Sequence, residues 1–434
     1  MRTSSQVSHE NHQSLPDGWG FQTIEQVCEP PQYGYTQSAT NDPIGPKFVR
    51  ITDIAGGSLD WDSVPYCSCP DTEAAKYLLS PGDLLFARTG STGYSYLVDE
   101  CPRAVFASYL IRLKPMESVS PRFLKHFFTS SQYWQQVGRL MSGSVQTGLN
   151  ATALKSIKLL LPSLPEQHRI AHVLDTMDKT IARTERMIEK LRVIKSGLLQ
   201  DLLTRGIGED GEIRQKPAIE SATAGWKPCK LGDLFRIRHG YAFKGEYFDT
   251  NGPYIVLTPG NFYETGGFRS KGDEEKYYTG QFPREYILDK DDLIVAMTEQ
   301  TEGLLGASAI VPESDKYLHN QRLGLVVGLD EARLTRGFLF TLFNSRPVRS
   351  QIQKTAAGTK VRHTSPDRIY QVEVVLPPPL EQLKIVSVIS SVERCMELEE
   401  SHREKAMGVK QGLMADLLSG RVRVNTSSQE GPLV

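Results

Sequence analysis

The chain lacks most of the features that would place it at a membrane or in an oxidising compartment. No apolar run among its 434 residues approaches the roughly 18 needed to cross a bilayer. The polar start MRTSSQVSHENHQS lacks the apolar core of a signal peptide. The six cysteines are scattered, which argues against a disulfide framework, and no nearby Cys or His completes a zinc site with Cys67 and Cys69. These absences predict a cytoplasmic protein without a bound metal.

An excess of charge is also lacking, since 50 Lys and Arg nearly balance 51 Asp and Glu. The cations are nevertheless unevenly placed. Residues 103–158 hold eight Lys or Arg against one acid, Glu117, and residues 333–368 hold eight against Asp367. Phosphate contacts need clustered cations, so these two basic regions indicate two nucleic-acid-binding surfaces. The alternative is that they are solvated faces of ordinary domains.

The sequence repeats itself at an offset of 215 residues. LPSLPEQHRIAHVL from Leu161 is answered by LPPPLEQLKIVSVI from Leu376, and residues 195–203 are answered by residues 410–418. The same offset pairs residues 123–124 with 338–339 and Ser130 with Ser345. We therefore interpret the chain as two copies of a unit that consists of a variable domain followed by a long conserved element.

The conserved element has the pattern of a long helix. From Ile170 to Leu202 mostly apolar residues recur at alternating steps of four and three, which is typical of a coiled-coil seam. Ser163 and Glu166 predict a capping box at its start, and Gly206 predicts its end. About 39 residues at 1.5 Å each give a rod of roughly 58 Å. We expect the two helices to pack against each other, antiparallel; a coiled coil with another chain is the alternative.

Each variable domain is predicted to be mixed α/β. Short apolar runs predict strands at residues 48–54, 84–87 and 110–113, and at residues 254–258, 293–296 and 323–327; residues 121–137 and 335–354 predict helices. The predicted organisation comprises one variable domain (1–160), a central helix (161–205), a linker with a second variable domain (206–375), a C-terminal helix (376–420) and a tail (421–434).

Motifs for catalysis are incomplete. Residues 90–93 (GSTG) follow a predicted strand, but no Gly-Lys-Ser/Thr completes a phosphate-binding loop. Residues 29–33 (EPPQY) lack the Asn of a methyltransferase Asn-Pro-Pro-Tyr motif, and Val375 stands where a nuclease motif beginning at Asp367 needs lysine. We therefore predict a binding protein. A diverged stand-alone methyltransferase or nuclease, and a coiled-coil scaffold without a DNA role, are the alternatives.

Taken together, these motifs resemble the specificity (S) subunits of type I restriction-modification enzymes over essentially the whole chain. The resemblance rests on LPxxxEQ at residues 161–167, LPPPLEQ at residues 376–382, GDLLFARTG at residues 82–90, and KxGLLxDLL at residues 195–203 with its copy at 410–418. It implies two target recognition domains that each read half of an asymmetric bipartite DNA site. It also implies helices that dock two methyltransferase (M) subunits, with restriction-translocase (R) subunits joining them. S-adenosylmethionine, ATP and magnesium would belong to those partners.

Polar residues on the predicted loops are the candidates for contacts with DNA. A stiff rod between two readers would place the half-site centres about 10 bp apart, so a changed rod should change the spacer and leave the half-sites unchanged. Base contacts are predicted for Arg88, Thr89, Ser91, Thr92, Tyr94, Ser144, Gln146 and Thr147 in the first domain and for Thr298, Gln300, Thr301, Thr359, Lys360, Arg362 and His363 in the second. Phosphate contacts are predicted for Arg139, Arg346 and Arg349. Alternatively, the residues assigned to base contacts only cap turns.

Overall fold

The computed structural model describes residues 15–90, 92–142, 148–220, 225–300 and 303–425. Contacts divide the chain into two compact units. Unit 1 contains the residues up to Arg186 together with those from Glu400 onwards, and unit 2 contains Met187–Glu399. Each unit therefore combines one variable domain with one part of each long helix. None of the described helices is long and apolar enough to cross a membrane.

Unit 1 contains two small four-stranded sheets and a strand pair. The first sheet is antiparallel, and the second ends in the parallel pair Lys47–Val49 and Ala104–Phe106. The strands of the first sheet are, in spatial order, Gln32–Tyr33, Leu110–Leu113, Leu84–Ala87 and Ser95–Leu97; those of the second are Ala39–Thr40, Tyr66–Cys67, Lys47–Val49 and Ala104–Phe106; the pair is Gly20–Thr23 with Lys158–Leu161. The short helices are Ile24–Val27, Ile51–Ile54, Asp71–Tyr77, Pro121–Phe127, Ser131–Ser142 and Ala151–Ser156.

Unit 2 repeats this plan with larger insertions. Its four-stranded sheet is antiparallel, and its five-stranded sheet contains the parallel pair Tyr254–Leu257 and Tyr317–His319. In spatial order the sheets are Arg236–His239, Leu323–Val327, Leu293–Ala296 and Ser308–Ile310, then Phe248–Asp249, Tyr277–Tyr278, Tyr254–Leu257, Tyr317–His319 and Ile287–Leu288, with strand pairs Lys227–Lys230 with Glu373–Leu376 and Thr298–Glu299 with Arg362–His363. Its short helices are Arg336–Phe343, Arg346–Lys354 and Pro366–Tyr370, and 3₁₀ turns occupy Ala218–Glu220, Leu231–Asp233, Gly245–Tyr247, Pro259–Asn261, Gly272–Glu274 and Arg284–Tyr286.

The central strand of each antiparallel sheet is apolar because both of its faces are covered. In Leu84–Ala87, Leu84 and Phe86 pack into the core beside the helices, whereas Leu85 packs into a second core on the other side. Leu293–Ala296 divides its side chains between two cores in the same way. Alternate residues of a strand point to opposite faces, so continuous burial requires the continuous apolar run that the sequence shows.

The two long helices span Leu164–Thr204 and Pro379–Leu417. In unit 1, Leu174 shares a core with Leu417, and Lys410 Nζ lies 2.5 Å from Asp178 Oδ1. In unit 2, Leu202 shares a core with Ile385, and Lys195 Nζ lies 2.7 Å from Glu393 Oε1. In both units higher numbers on one helix meet lower numbers on the other, which confirms antiparallel packing and the mixed fold with two α/β domains.

Two predicted helices are each interrupted by a serine. Residues 121–137 form Pro121–Phe127 and Ser131–Ser142, and residues 335–354 form Arg336–Phe343 and Arg346–Lys354. At the breaks Ser130 Oγ donates to the carbonyl of Phe127 and Ser345 Oγ donates to that of Leu342, each at 2.6 Å. Such local bonds compete with helix continuation. The predicted strand at residues 48–54 is also wrong in part, because Lys47–Val49 ends before the short helix Ile51–Ile54.

Candidate nucleic-acid interface

The Glu-Gln pair at the start of the first long helix joins that helix to the variable domain of unit 1. The buried Glu166 carboxylate accepts hydrogen bonds from Trp19 Nε1 at 3.0 Å and from Arg423 Nε at 2.6 Å and Nη2 at 2.9 Å. Gln167 accepts from the Ser120 backbone N–H at 2.8 Å and donates to the Pro162 carbonyl at 2.9 Å. Glu166 therefore binds Trp19 and Arg423, a role that the predicted capping box did not include.

The copy in unit 2 makes the same joint. Glu381 accepts from Trp226 Nε1 at 3.1 Å, from Arg214 Nη1 at 2.5 Å and from the Ile207 backbone N–H at 2.8 Å. Gln382 accepts from the Thr335 backbone N–H at 2.8 Å and donates to the Pro377 carbonyl. A buried carboxylate is tolerated only when it is paired in this way. The repeated Glu-Gln motif is therefore explained by its contacts, which attach each variable domain to its long helix.

In each unit the residues predicted to contact bases form two loops, the first at residues 88–94 and the second at 144–147 in unit 1, and the first at 298–301 and the second at 359–363 in unit 2. In unit 1 the first loop contacts Leu149, which follows the second loop in the chain. The Leu149 backbone N–H donates to the Arg88 carbonyl at 3.2 Å, and the exposed Arg88 guanidinium lies 5.2 Å from the centre of the Tyr33 ring. Thr89 and Thr92 are partly buried, and Thr92 Oγ1 donates to the Arg88 carbonyl at 3.4 Å. The predicted residues Ser91, Ser144, Gln146 and Thr147 lie outside the described residues.

Aromatic side chains support this surface of unit 1. Tyr94 is 51% exposed and packs edge-on against Trp134 with ring centres 5.1 Å apart. Tyr33, which the sequence interpretation missed, accepts a hydrogen bond from the Ala151 backbone N–H at its hydroxyl as well as packing under Arg88. A guanidinium held over an aromatic ring remains charged and accessible to an acceptor such as guanine or phosphate.

In unit 2 the structure brings the two predicted loops together directly. Strand Thr298–Glu299 pairs with strand Arg362–His363, with Thr298 opposite His363. Gln300, Thr359, Lys360 and His363 are exposed around this pair, while Thr298 and Arg362 are partly buried. Thr301 lies outside the described residues.

A buried carboxylate organises the unit 2 loops. Glu299 Oε2 accepts from the backbone N–H groups of Gly303, Leu304 and Leu305 at 3.1, 3.0 and 2.8 Å. Its Oε1 accepts from Arg362 Nη1 at 3.3 Å, and Arg362 also donates to the Gln353 carbonyl. Arg362 therefore uses part of its guanidinium to support the loop.

The three arginines predicted to contact phosphate have different environments. Arg139 and Arg346 are exposed on helices, as phosphate contacts require. Arg349 is only 8% exposed, burial lowers its pKa, and its guanidinium donates to the carbonyls of Glu264 and Gly303. This placement favours support of the unit 2 loop over direct contact with phosphate for Arg349.

Ion pairs neutralise much of the two basic regions. Arg122 and Lys125 pair with Asp175, Lys155 pairs with Glu25, and Arg336 pairs with Glu331. Within the described part of the chain, exposed cations of these regions that make no ion pair are Arg139, Lys158, Arg346, Lys354 and Lys360. The accessible positive charge is therefore smaller than the composition of each region suggests.

His126, Asp175 and Asp178 are close enough together to be considered as metal ligands. His126 Nε2 lies 2.8 Å from Asp175 Oδ1, and Lys410 and Lys125 pair with Asp178. Burial raises the pKa of Asp175, but hydrogen bonds from His126 and Arg122 and the charge of Lys125 outweigh it and hold that pKa well below its usual value. These cations already compensate both carboxylates, so the cluster is explained as a joint between helix Pro121–Phe127 and the first long helix.

The chain consists of two units with similar backbones and different loop side chains, and its sequence resembles that of known proteins. It matches the type I restriction modification DNA specificity domain twice, over residues 16–193 and 223–406. The chain belongs to this family. Both matches include a variable domain and reach into the long helix that follows it.

Curated relatives are similar in sequence to this chain over most of their length, and solved structures of similar length share its fold. The putative type I restriction enzyme MjaX specificity subunit of Methanocaldococcus jannaschii is 24% identical over 95% of each chain, and the StySPI specificity subunit of Salmonella potsdam is 22% identical over 96% of this chain and 91% of the relative. The fold resembles a chain from a type I restriction-modification assembly (TM-score 0.57, 16% identity, 94% and 100% coverage) and the S subunit from M. genitalium (TM-score 0.55, 13% identity, 93% and 98% coverage).

Proposed function

We propose that this chain is the DNA-specificity subunit of a type I restriction-modification enzyme, in which each unit reads one half of an asymmetric bipartite site. The observation that carries the proposal is the double occurrence of the specificity domain over most of the chain. The different side chains on the paired loops support two different half-sites. Arg88 beside Tyr33 belongs to unit 1, whereas Gln300, Lys360 and His363 belong to unit 2.

Recognition would divide between phosphate and base contacts. Arg139 and Arg346, exposed on helices next to the loops, would fix each unit on the DNA backbone. Arg88 would reach guanine acceptors in the major groove, and Gln300 has the donor and acceptor that adenine requires. Because hydrogen bonds already hold the backbone of the loops in each unit, few side chains need to become ordered on binding.

The chemistry would belong to partner subunits in the cytoplasm. In this proposal the chain itself binds no cofactor, two M subunits dock to it and supply S-adenosylmethionine-dependent methylation, and R subunits supply ATP- and magnesium-dependent cleavage. The Glu166 and Glu381 joints would contribute by holding the reading surfaces in place relative to the helix of the same unit.

Co-expression with the M subunit, followed by mapping of methylated adenines across a genome, tests the proposal. We expect methylation within one split motif with a fixed spacer. Methylation of a continuous motif, or none by an assembled complex, would contradict it. Binding of S-adenosylmethionine by the chain alone would contradict the division of labour, and an assembled complex whose DNA affinity did not change with salt would contradict a DNA-binding role.

A further inference from the structure

A short turn follows the strand Ala104–Phe106 in unit 1 and the strand Tyr317–His319 in unit 2, and its backbone is held in the same way in both. In unit 1, Tyr35 N–H donates to the Phe106 carbonyl at 2.8 Å and Ser108 N–H donates to the Tyr35 carbonyl at 2.9 Å. In unit 2, Tyr241 N–H donates to the His319 carbonyl at 2.8 Å and Gln321 N–H donates to the Tyr241 carbonyl at 3.0 Å. Residues 106–110 and 319–323 are therefore equivalent; we name them the third turns.

A glycine packs flat against each third turn. A Cβ on Gly34 would collide with the carbonyl oxygens of Phe106 and Ala107, and one on Gly240 would collide with those of His319 and Asn320. Such close approach of two backbones admits only glycine. The third turns are thus fixed by long-range contacts rather than left as loose connections.

Each third turn adjoins the first predicted loop of its unit. Arg88 N–H donates to the Tyr109 carbonyl at 3.1 Å, and Met297 N–H donates to the Arg322 carbonyl at 3.0 Å. Tyr109 therefore lies beside Arg88. The carbonyl of Arg322 is hydrogen-bonded to Met297, which directly precedes the strand that begins at Thr298.

The side chains on these two turns differ, and those of Tyr109, Gln321 and Arg322 are exposed to solvent. Unit 1 presents Ser108 and Tyr109, with Tyr109 61% exposed, whereas unit 2 presents the exposed pair Gln321 and Arg322. Within the described residues, the side chains of Tyr109, Gln321 and Arg322 form no hydrogen bond or ion pair that would explain them as structural groups. Exposed polar and aromatic groups on a rigid frame are typical of a recognition surface rather than of packing.

We propose that the third turns are base-reading segments, with Tyr109 reading the first half-site and Gln321 and Arg322 reading the second. Arg322 has the paired donors that recognise the O6 and N7 acceptors of guanine, and Gln321 has the groups that recognise adenine. Tyr109 offers a ring for the thymine methyl and a hydroxyl for one hydrogen bond. This inference rests on the proposed function and adds residues that the sequence pattern did not identify.

Reciprocal exchange of the two turns tests the inference in the methyltransferase complex. One variant carries Ser108→Gln with Tyr109→Arg, and the other carries Gln321→Ser with Arg322→Tyr. We expect the first to change base preference by about tenfold or more at one or two positions of the first half-site only, and the second to do so in the second half-site only. Genome-wide methylation mapping reads both half-sites at once.

The control is Lys316→Tyr, because Lys316 lies outside both basic regions and precedes strand Tyr317–His319 at the end opposite the third turn, so both half-sites should stay unchanged. If an exchanged turn prevents assembly, Tyr109→Ala and Arg322→Ala test the same positions by truncation. If the assembled variants keep half-site preferences within twofold of wild type, the inference is overturned. The proposed function still stands in that case, provided that the wild-type complex methylates a split motif. A wild-type complex without a split motif would instead overturn the proposed function.

Discussion

The two units share one backbone plan but stabilise their loops by different interactions. In unit 1, Arg88 rests on Tyr33, and Tyr94 packs against Trp134. In unit 2, the buried carboxylate of Glu299 accepts three backbone N–H groups beside Arg362 and the buried Arg349. Trp134 and Arg349 occupy corresponding helix positions, offset by 215 residues. The shared backbone plan is therefore compatible with either aromatic or ionic support of the loops, which leaves the exposed loop side chains free to differ.

The Glu-Gln joints are the features that the two units share most closely, and removing one should have the largest effect. Glu381→Ala leaves Trp226 Nε1, Arg214 and the Ile207 N–H without their acceptor, so we expect a loss of about 4 kcal/mol in the free energy of unfolding of unit 2. Glu166→Ala should cost unit 1 less, about 2 kcal/mol, because the side chain of Arg423 is 46% exposed and that of Arg214 is 21% exposed.

Urea unfolding followed by tryptophan fluorescence measures both losses, since Trp19 and Trp226 report on their own joints. Glu189→Ala, on an exposed helix surface, is the control and should change stability by less than about 0.5 kcal/mol. If Glu166→Ala and Glu381→Ala have equal and small effects on the free energy of unfolding, neither carboxylate stabilises its unit and the expected difference between the units is wrong.

A second comparison concerns pH, because Phe106 of unit 1 occupies the position of His319 in unit 2. The pKa of His319 is lowered to about 4, mainly by burial; a hydrogen bond with the Leu323 carbonyl opposes this shift, and the nearby Arg238 and His239 add to it. Between the ordinary value of 6.5 and about 4 the unfolded chain binds a proton that the folded chain does not. Stability of unit 2 should therefore fall as pH falls through this range, by about 3 kcal/mol in total.

Unfolding midpoints measured between pH 7 and pH 4 check this dependence. His319→Phe, which copies unit 1, should flatten the profile of unit 2, while unit 1 provides the internal reference. A profile that stays steep in the variant would assign the effect to groups other than His319.

The sequence predicted those elements whose structure is determined by residues close together in the chain. The strands Leu84–Ala87 and Leu293–Ala296 were predictable because they are continuous apolar runs, and the long helices were predictable because their seam repeats over many turns. The breaks at Ser130 and Ser345 were not, since the apolar periodicity of the flanking helices continues across them.

The candidate site was only partly predictable because its contacts are long-range. Loop positions such as Arg88 and His363 follow from strand ends and turn residues. The burial of Arg349 depends on the carbonyl of Gly303, and the partners of Glu381 include Arg214. No spacing in the sequence connects these residues, so an arginine that supports a loop has the same local pattern as one that contacts phosphate.

The ionic support of unit 2 can be tested separately from its joint. Glu299→Ala leaves the N–H groups of Gly303, Leu304 and Leu305 without their acceptor, and we expect about 2 kcal/mol weaker discrimination, or roughly 30-fold, at the second half-site. Competition between duplexes altered in one half-site at a time measures this, with the exposed Glu285→Ala as control. Equal loss at both half-sites would indicate general unfolding, and no loss would remove Glu299 from the reading surface.

The smallest expected effects distinguish exposed from buried arginines on corresponding helices. Arg139→Ala in unit 1 and Arg346→Ala in unit 2 should each reduce the slope of log affinity against log salt by about 0.9, equally for specific and non-specific DNA, because each removes one predicted phosphate contact. Arg349→Ala should leave that slope unchanged and weaken second half-site preference instead, because its guanidinium is committed to the carbonyls of Glu264 and Gly303. Titrations of the assembled complex at several salt concentrations measure all three slopes. A reduced slope for Arg349→Ala would show that Arg349 does contact phosphate. Unchanged slopes for Arg139→Ala and Arg346→Ala would show that these two residues do not.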